Sequence, residues 1–143
     1  MTTLPTVFIT GASSGIGATY AERFARRGHD LVLVARNKSR LDALAMRLRE
    51  QHQIAVEVLQ ADLTNSAELP ALETRLRHDA RIGILINNAG MPQSGHFLEQ
   101  SPEAIESQIA LNITALTRLA AAIAPRLAQS GTERRGRQEI KSR

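Results

Sequence analysis

Four short apolar runs punctuate the chain: TVFIT at 6–10, LVLVA at 31–35, IAVEVL at 54–59 and IGILI at 82–86. Continuous Val/Ile/Leu runs of this length suit strands covered on both faces, the situation found in parallel sheets. Parallel neighbours require long crossovers, and the intervening segments have helical spacing that can supply them. Tyr20 and Phe24 stand four apart in 16–27, with Gly28 placed as a stop. Leu41, Leu44, Ala45 and Leu48 mark one face of 38–51. Leu69, Leu72 and Leu76 repeat that stripe in 66–78, where Ser66 is the expected N-cap and Pro70 is tolerable only in the first turn. Ser101-Pro102-Glu103 opens a long Ala/Leu/Ile helix expected to run to about Gln129. The alternation predicts one α/β domain, a doubly wound parallel sheet with helices on both faces.

The segment TGASSGIG, residues 10–17, leaves the first strand and opens the first helix. Glycines there permit a tight turn and the close approach of a phosphate, and the helix N-terminus offers N–H donors with a positive dipole end. Ser13 and Ser14 add hydroxyls. No Gly-Lys-Ser/Thr follows, so the loop is not a P-loop. A tight turn without a ligand is the bland alternative. The context points to a dinucleotide-binding, Rossmann-type domain over residues 1–130.

Composition narrows the function classes. The chain has 143 residues, 43% of them hydrophobic and 22% charged, as in a globular domain. It carries no cysteine, which excludes disulfides and thiolate metal sites, and no metal site is expected; this fits a cytoplasmic location. No apolar run of membrane-spanning length and no secretory leader is expected. The formal charge is +4, but the last thirteen residues hold +3 of it, leaving a nearly neutral body. With 3% aromatics for base stacking as well, nucleic acid is not an expected partner.

TGASSGIG resembles the glycine motif of the short-chain dehydrogenase/reductase family. ADLT at 61–64, NNAG at 87–90 and Asn112 in QIALNITAL match further motifs of that family in the right order, so the resemblance covers residues 5–130. It implies a strand order 3-2-1-4 and a cofactor site comprising Gly11, Ser13, Ser14, Gly15, Ile16, Gly17, Arg36, Asp62, Leu63, Asn88, Ala89 and Gly90. Asn87 and Asn88 are expected to bond backbone across neighbouring strands, while Ala89 and Gly90 leave room beside a ribose. Asp62 also has a plain structural reading, as a cap for the following helix.

At the end of the second strand a dinucleotide fold selects its cofactor, with an acid for the 2′-hydroxyl of NAD and a base for the 2′-phosphate of NADP. Here Arg36 leaves that strand and no acid occurs before Asp42. NADP(H) is therefore expected over NAD(H). The alternative is that Arg36, like Arg40, belongs to a solvated helix face.

The resemblance also implies hydride transfer between nicotinamide and a carbonyl or alcohol. For this the family uses a serine, a Tyr-x-x-x-Lys pair and a helix asparagine that supports a proton-relay water and the lysine. Of that set only Asn112 is present: the sole tyrosine is Tyr20, and the lysines are Lys38 and Lys141. His29, His52 and His78 fall at expected helix ends, where a dipole contact is the ordinary role, and His96 lies in a loop. Residues 131–143 change character: GTERRGRQEIKSR has Ile140 as its one large apolar residue and cannot form a buried strand. They are expected to be a basic, disordered tail, left by a frameshift or early stop in a longer gene, with a genuine short protein as the rival. The expectation is a catalytically incomplete oxidoreductase, inactive alone, or else a non-catalytic nucleotide-binding or dimerisation module. Its expected partners are the cofactor, a carbonyl or alcohol substrate in the full-length family, and a second copy through the fourth strand and helix.

Overall fold

The structure is a computed structural model that describes residues 3–90 and 95–141, with backbone alone from 132 onward. Strands β1 (Thr6–Thr10), β2 (Leu31–Ala35), β3 (Val56–Gln60) and β4 (Ile82–Ile86) alternate with helices α1 (Gly15–Arg26), α2 (Lys38–His52) and α3 (Leu69–His78). After β4 come a 3₁₀ turn (Phe97–Glu99), α4 (Pro102–Ile109), a π-helical stretch (Ala110–Ala115) and α5 (Leu116–Lys141). All pairings are parallel and the order is β3-β2-β1-β4. The expected doubly wound order is therefore the one observed.

Alternation within β1 and β2 splits the core into two layers. Val7, Ile9, Leu31 and Leu33 face α1 and α2, packing on Ala21, Ala25, Leu41, Leu44 and Leu48. Phe8, Val32 and Val34 face α3 and α5, packing on Leu69, Leu72, Leu76, Leu119 and Ile123. Every residue of β2 is buried, which explains why its sequence has no polar alternation.

Three local expectations are corrected. Helix α3 starts at Leu69 with Glu68 at its N-cap, not at Ser66. A start after Ser66 would put Pro70 at the fourth helical position, where its missing N–H and ring would break the first intrahelical bond. Starting at Leu69 places Pro70 in the tolerated first turn. Strand β3 begins at Val56, not residue 54, because Gln53 closes α2 in a left-handed conformation (φ 50°). Ala55 then enters the sheet through its carbonyl, which accepts from Leu31 N at 3.0 Å. The single long helix expected from 102 is interrupted by the π-helical stretch.

By length and composition, the segment Pro102–Gly131 is apolar enough to cross a membrane. Its buried residues Ala115, Leu119, Ala122 and Ile123 belong to the core against α3 and the sheet. Arg126 adds a polar clamp, its guanidinium donating to the carbonyls of Leu76 and Ile82 at 2.9 and 2.7 Å. The α5 backbone is helical to Lys141, past the expected end at about Gln129, and the side chains from 132 on lie outside the described residues.

Candidate functional site

Strand order reverses between β1 and β4, and this opens a crevice at the C-terminal ends of the strands. The glycine loop fills its floor. Gly11 sits at φ 64°, and a Cβ there would come within 2.9 Å of the Ala89 Cα. At Gly17 a Cβ would collide with the Gly11 carbonyl oxygen and lie 2.6 Å from Asn88 Nδ2. Both positions therefore exclude any side chain. Asn88 Nδ2 donates to the Gly11 carbonyl at 3.2 Å. The fully buried Thr10 accepts through Oγ1 from the N–H groups of Asn88 and Ala89 at 3.1 and 3.0 Å. These bonds lock the loop after β1 to the turn after β4.

Above that floor lies a cavity of about 650 Å³. Gly11, Ser13 and Ser14 line one part, and Asn88, Ala89, Gly90 and Leu111 another. Arg36, Asn37 and Arg40 line the side at the end of β2, next to Asp62, Leu63 and Thr64 at the end of β3. Ser14 is the N-cap of α1 in extended conformation, without a side-chain capping bond. The first-turn N–H groups of that helix lack intrahelical acceptors and suit an incoming anion.

The β2–α2 turn is only two residues long, and its carbonyls are all engaged. Ala35 accepts from Ala61 N (3.1 Å), Arg36 from Gln60 Nε2 (3.1 Å) and Asn37 from Leu41 N (3.1 Å). Asn37 also caps α2, its Oδ1 accepting from Arg40 N at 3.1 Å and from Ser39 Oγ at 2.9 Å. Asp62 Oδ1 accepts from Thr64 Oγ1 at 2.7 Å and Thr64 N at 3.0 Å. Those bonds, first the hydroxyl and then the N–H, hold its carboxyl below the usual range, with the Arg36 charge adding to them. Asp62 thus caps its own turn and lines the cavity as well.

Of the expected site residues, Gly11, Ser13, Ser14, Arg36, Asp62, Leu63, Asn88, Ala89 and Gly90 meet at this cavity. Gly15, Ile16, Gly17 and Asn112 do not line it. Gly15 opens α1 with nothing within 4 Å of a Cβ, Ile16 is exposed, and Gly17 packs beneath the loop. Asn112 lies in the π-helical stretch, its Oδ1 3.6 Å from where a Gly90 Cβ would be. Such π-helical insertions often mark functional positions. Asn87 corrects an expectation: its Nδ2 donates to the Leu116 carbonyl of α5 at 2.9 Å, not to a neighbouring strand. Two histidines also differ from a dipole role. His29 Nδ1 bonds the Pro5 carbonyl at 2.7 Å, and His52 Nε2 lies 3.0 Å from Glu22 Oε1.

Sequence reasoning missed Asn37, Arg40, Thr64 and Leu111 as lining residues. Asn before Lys38-Ser39 was a readable N-cap signal, and an N-cap at residue 37 puts Arg40 in the first turn beside Arg36. Leu111 carried no signal beyond standing next to Asn112. Among the described residues no cluster of three or more His, Asp or Glu is placed to hold a metal.

A family profile described as short chain dehydrogenase matches residues 5–137. A short-chain dehydrogenase from Sphingobium yanoikuyae, solved in complex with NADPH, shares 76% identity over 90% of this chain and 50% of its own, with a TM-score of 0.88. The bulky-bulky ketone specific alcohol dehydrogenase of Comamonas testosteroni shares 64% over 91% of this chain and 52% of its own, with a TM-score of 0.89. Among curated proteins, an uncharacterized oxidoreductase of Staphylococcus saprophyticus is 40% identical over 73% of this chain and 45% of its own length. The chain spans about half the length, or less, of these relatives.

Proposed function

The chain belongs to the short chain dehydrogenase family, and from that premise we propose that it is the cofactor-holding half of an NADP(H)-dependent ketone/alcohol oxidoreductase. The observation that carries the reading is one continuous cavity that joins the glycine loop to two arginines. The pyrophosphate rests on the loop from Gly11 to Gly17 and on the α1 N-terminus, with Ser13 and Ser14 donating. Asp62 and Leu63 flank the adenine, and Leu111 adds apolar surface. Arg36 and Arg40 take the 2′-phosphate, a role that guanidinium groups fill through paired donors. Ala89 and Gly90 pass the ribose of the nicotinamide end, beside Asn112.

NADPH, when bound, supplies the hydride. The residues of this chain bind and orient it; the proton donor of the family does not occur in the sequence, whose one tyrosine, Tyr20, lies on α1. Bulky ketones are the substrate class that the Comamonas relative's specificity favours. The absence of cysteine fits a cytoplasmic setting. A second reading, a non-catalytic nucleotide-binding or dimerisation module, draws support from Ile109, Ile113 and Leu116. These stand 48%, 59% and 38% exposed near the open β4 margin and suit a second copy.

Calorimetry with 2′,5′-ADP and 5′-ADP tests the cofactor reading. The chain is expected to prefer 2′,5′-ADP, and Arg36→Leu to lower that affinity about ten- to a hundredfold while sparing 5′-ADP, as befits a lost charged hydrogen bond. Equal affinity of the native chain for both ligands would overturn NADP(H). Oxidation of NADPH by the 143-residue chain with a bulky ketone would overturn the incomplete-enzyme reading and leave the cofactor assignment standing.

A further inference from the structure

Resting on the NADP(H) reading, we propose that Gln60 is a positioning residue for 2′-phosphate selectivity, acting through the backbone of Arg36. The last paired residues of β2 and β3 are Ala35 and Gln60, and the ladder closes with Ala61 N donating to Ala35 O at 3.1 Å. Beyond that point β2 turns away into α2. The side chain of Gln60 carries the pairing one step further, its Nε2 donating to the Arg36 carbonyl at 3.1 Å. Of the carbonyls from Ala35 to Asn37, those of Ala35 and Asn37 are held by backbone N–H groups, and that of Arg36 by a side chain. That one restraint depends on the identity of a residue.

The orientation it enforces has an electrostatic sense. In a trans peptide the N–H points opposite to the C=O, and this chain has no cis bonds among the described residues. Tying the Arg36 carbonyl to β3 therefore turns the Asn37 N–H away from β3. Arg36, Asn37 and Arg40 line the cavity, whereas Gln60 does not. Held at Gln60, the Arg36 carbonyl oxygen is kept from turning towards an anion beside the two guanidinium groups, where its partial charge would repel that anion. Releasing the carbonyl lets that peptide rotate and also frees the stem from which the Arg36 side chain projects. Gln60 is exposed, so its replacement leaves the core untouched. In the cofactor reading, adenine lies against Asp62 and Leu63 and the pyrophosphate on the glycine loop, so 5′-ADP is held chiefly by residues other than Arg36.

The test compares native chain, Gln60→Met (same length, no donor) and Gln60→Glu (an acceptor facing an acceptor), titrated with 2′,5′-ADP and with 5′-ADP. The affinity ratio of the two ligands is the readout, since general loosening would weaken both alike. Gln60→Met is expected to lower the ratio about three- to tenfold, the worth of one hydrogen bond, with 5′-ADP affinity and the urea midpoint unchanged. Gln60→Glu is expected to lower it further. An unchanged ratio in Gln60→Met, or equal losses for both ligands, would overturn the Gln60 proposal alone. A native chain that shows no preference would overturn the cofactor reading and this proposal with it.

Discussion

At the β3 margin of the sheet, Glu57 turns outward and is gripped by both terminal nitrogens of Arg75, at 2.8 and 2.5 Å. At the β4 margin, the outermost strand reads Ile82-Gly83-Ile84-Leu85-Ile86 and carries no charge at all. Both are edges in the order β3-β2-β1-β4. Yet β3 is dressed as an edge, with a charged side chain in mid-strand and a guanidinium folded across it, the usual defence against unwanted pairing. Strand β4 has the composition of an interior strand, although all of it after Ile82 is only half-buried. The helices follow the same division. Arg75 links Glu57 of β3 to Asp79, and Asp79 pairs in turn with Arg81 just before β4, whereas Leu98, Ile109, Ile113 and Leu116 are exposed on the segments that follow β4. The two outer strands of one sheet thus differ in kind: β3 carries a charge paired across it, and β4 carries none. The cofactor cavity spans the sheet between them: its arginines follow β2, next to β3, and Asn88, Ala89 and Leu111 come from the β4 end.

The largest expected effect comes from breaking the seam between the halves. Gly17→Val places a side chain on the Gly11 carbonyl and on Asn88 Nδ2, the bond that ties the glycine loop to the β4 turn. Neither backbone oxygen nor strand end can yield cheaply, so a loss of about 3 kcal/mol is expected, at the upper end for overpacking. Urea denaturation measures it, and 2′,5′-ADP binding should vanish with it. A variant that keeps both would mean the two margins are not coupled through this contact.

How much of this was legible beforehand follows the same division. Strands 6–10, 31–35 and 82–86 were readable to the residue, because unbroken apolar runs bounded by turn residues leave little choice. The glycine loop was readable because its context was, from strand before to helix after. Two kinds of feature were not. Helix starts depended on competition between caps, as when Pro70 overrode Ser66. Side chains that act through another element's backbone, such as Asn87 on Leu116 and Gln60 on Arg36, leave no periodic trace. The π-helical stretch belongs with them: ALNITA looks like ordinary helix until Asn112 must lie beside Gly90.

A smaller effect isolates the β4 side. Ile109→Lys with Ile113→Lys changes two residues that are already exposed, so stability should move by no more than about 0.5 kcal/mol. Self-association of the native chain, followed by sedimentation velocity, is expected to weaken at least tenfold, since two charges would be buried or left in contact. Nucleotide binding should stay as it was. A native chain that remains monomeric at high micromolar concentration would remove the difference between the margins as a matter of solution behaviour.

The smallest effect isolates the β3 side and depends on pH. Arg75 holds the Glu57 carboxyl below its ordinary value chiefly through their hydrogen bond. Arg81, and then Arg75, hold Asp79 well below its own. A carboxylate whose pKa is lower folded than unfolded stabilises the fold above the unfolded value, near 4, and loses that contribution as pH falls through the folded value. Stability should therefore be level from pH 7 to about 5 and decline below about 4.5, with Asp79 protonating last. Glu57 is partly exposed, so its share is screened and amounts to about 0.5 kcal/mol. Glu57→Gln should accordingly lose that amount at pH 7 and show a shallower decline between pH 4.5 and 3, whereas Ile109→Lys with Ile113→Lys should keep the native slope. Urea midpoints at pH 7, 4.5 and 3 make the comparison. An equal slope in Glu57→Gln would mean that Arg75 covers the β3 margin without binding its charge.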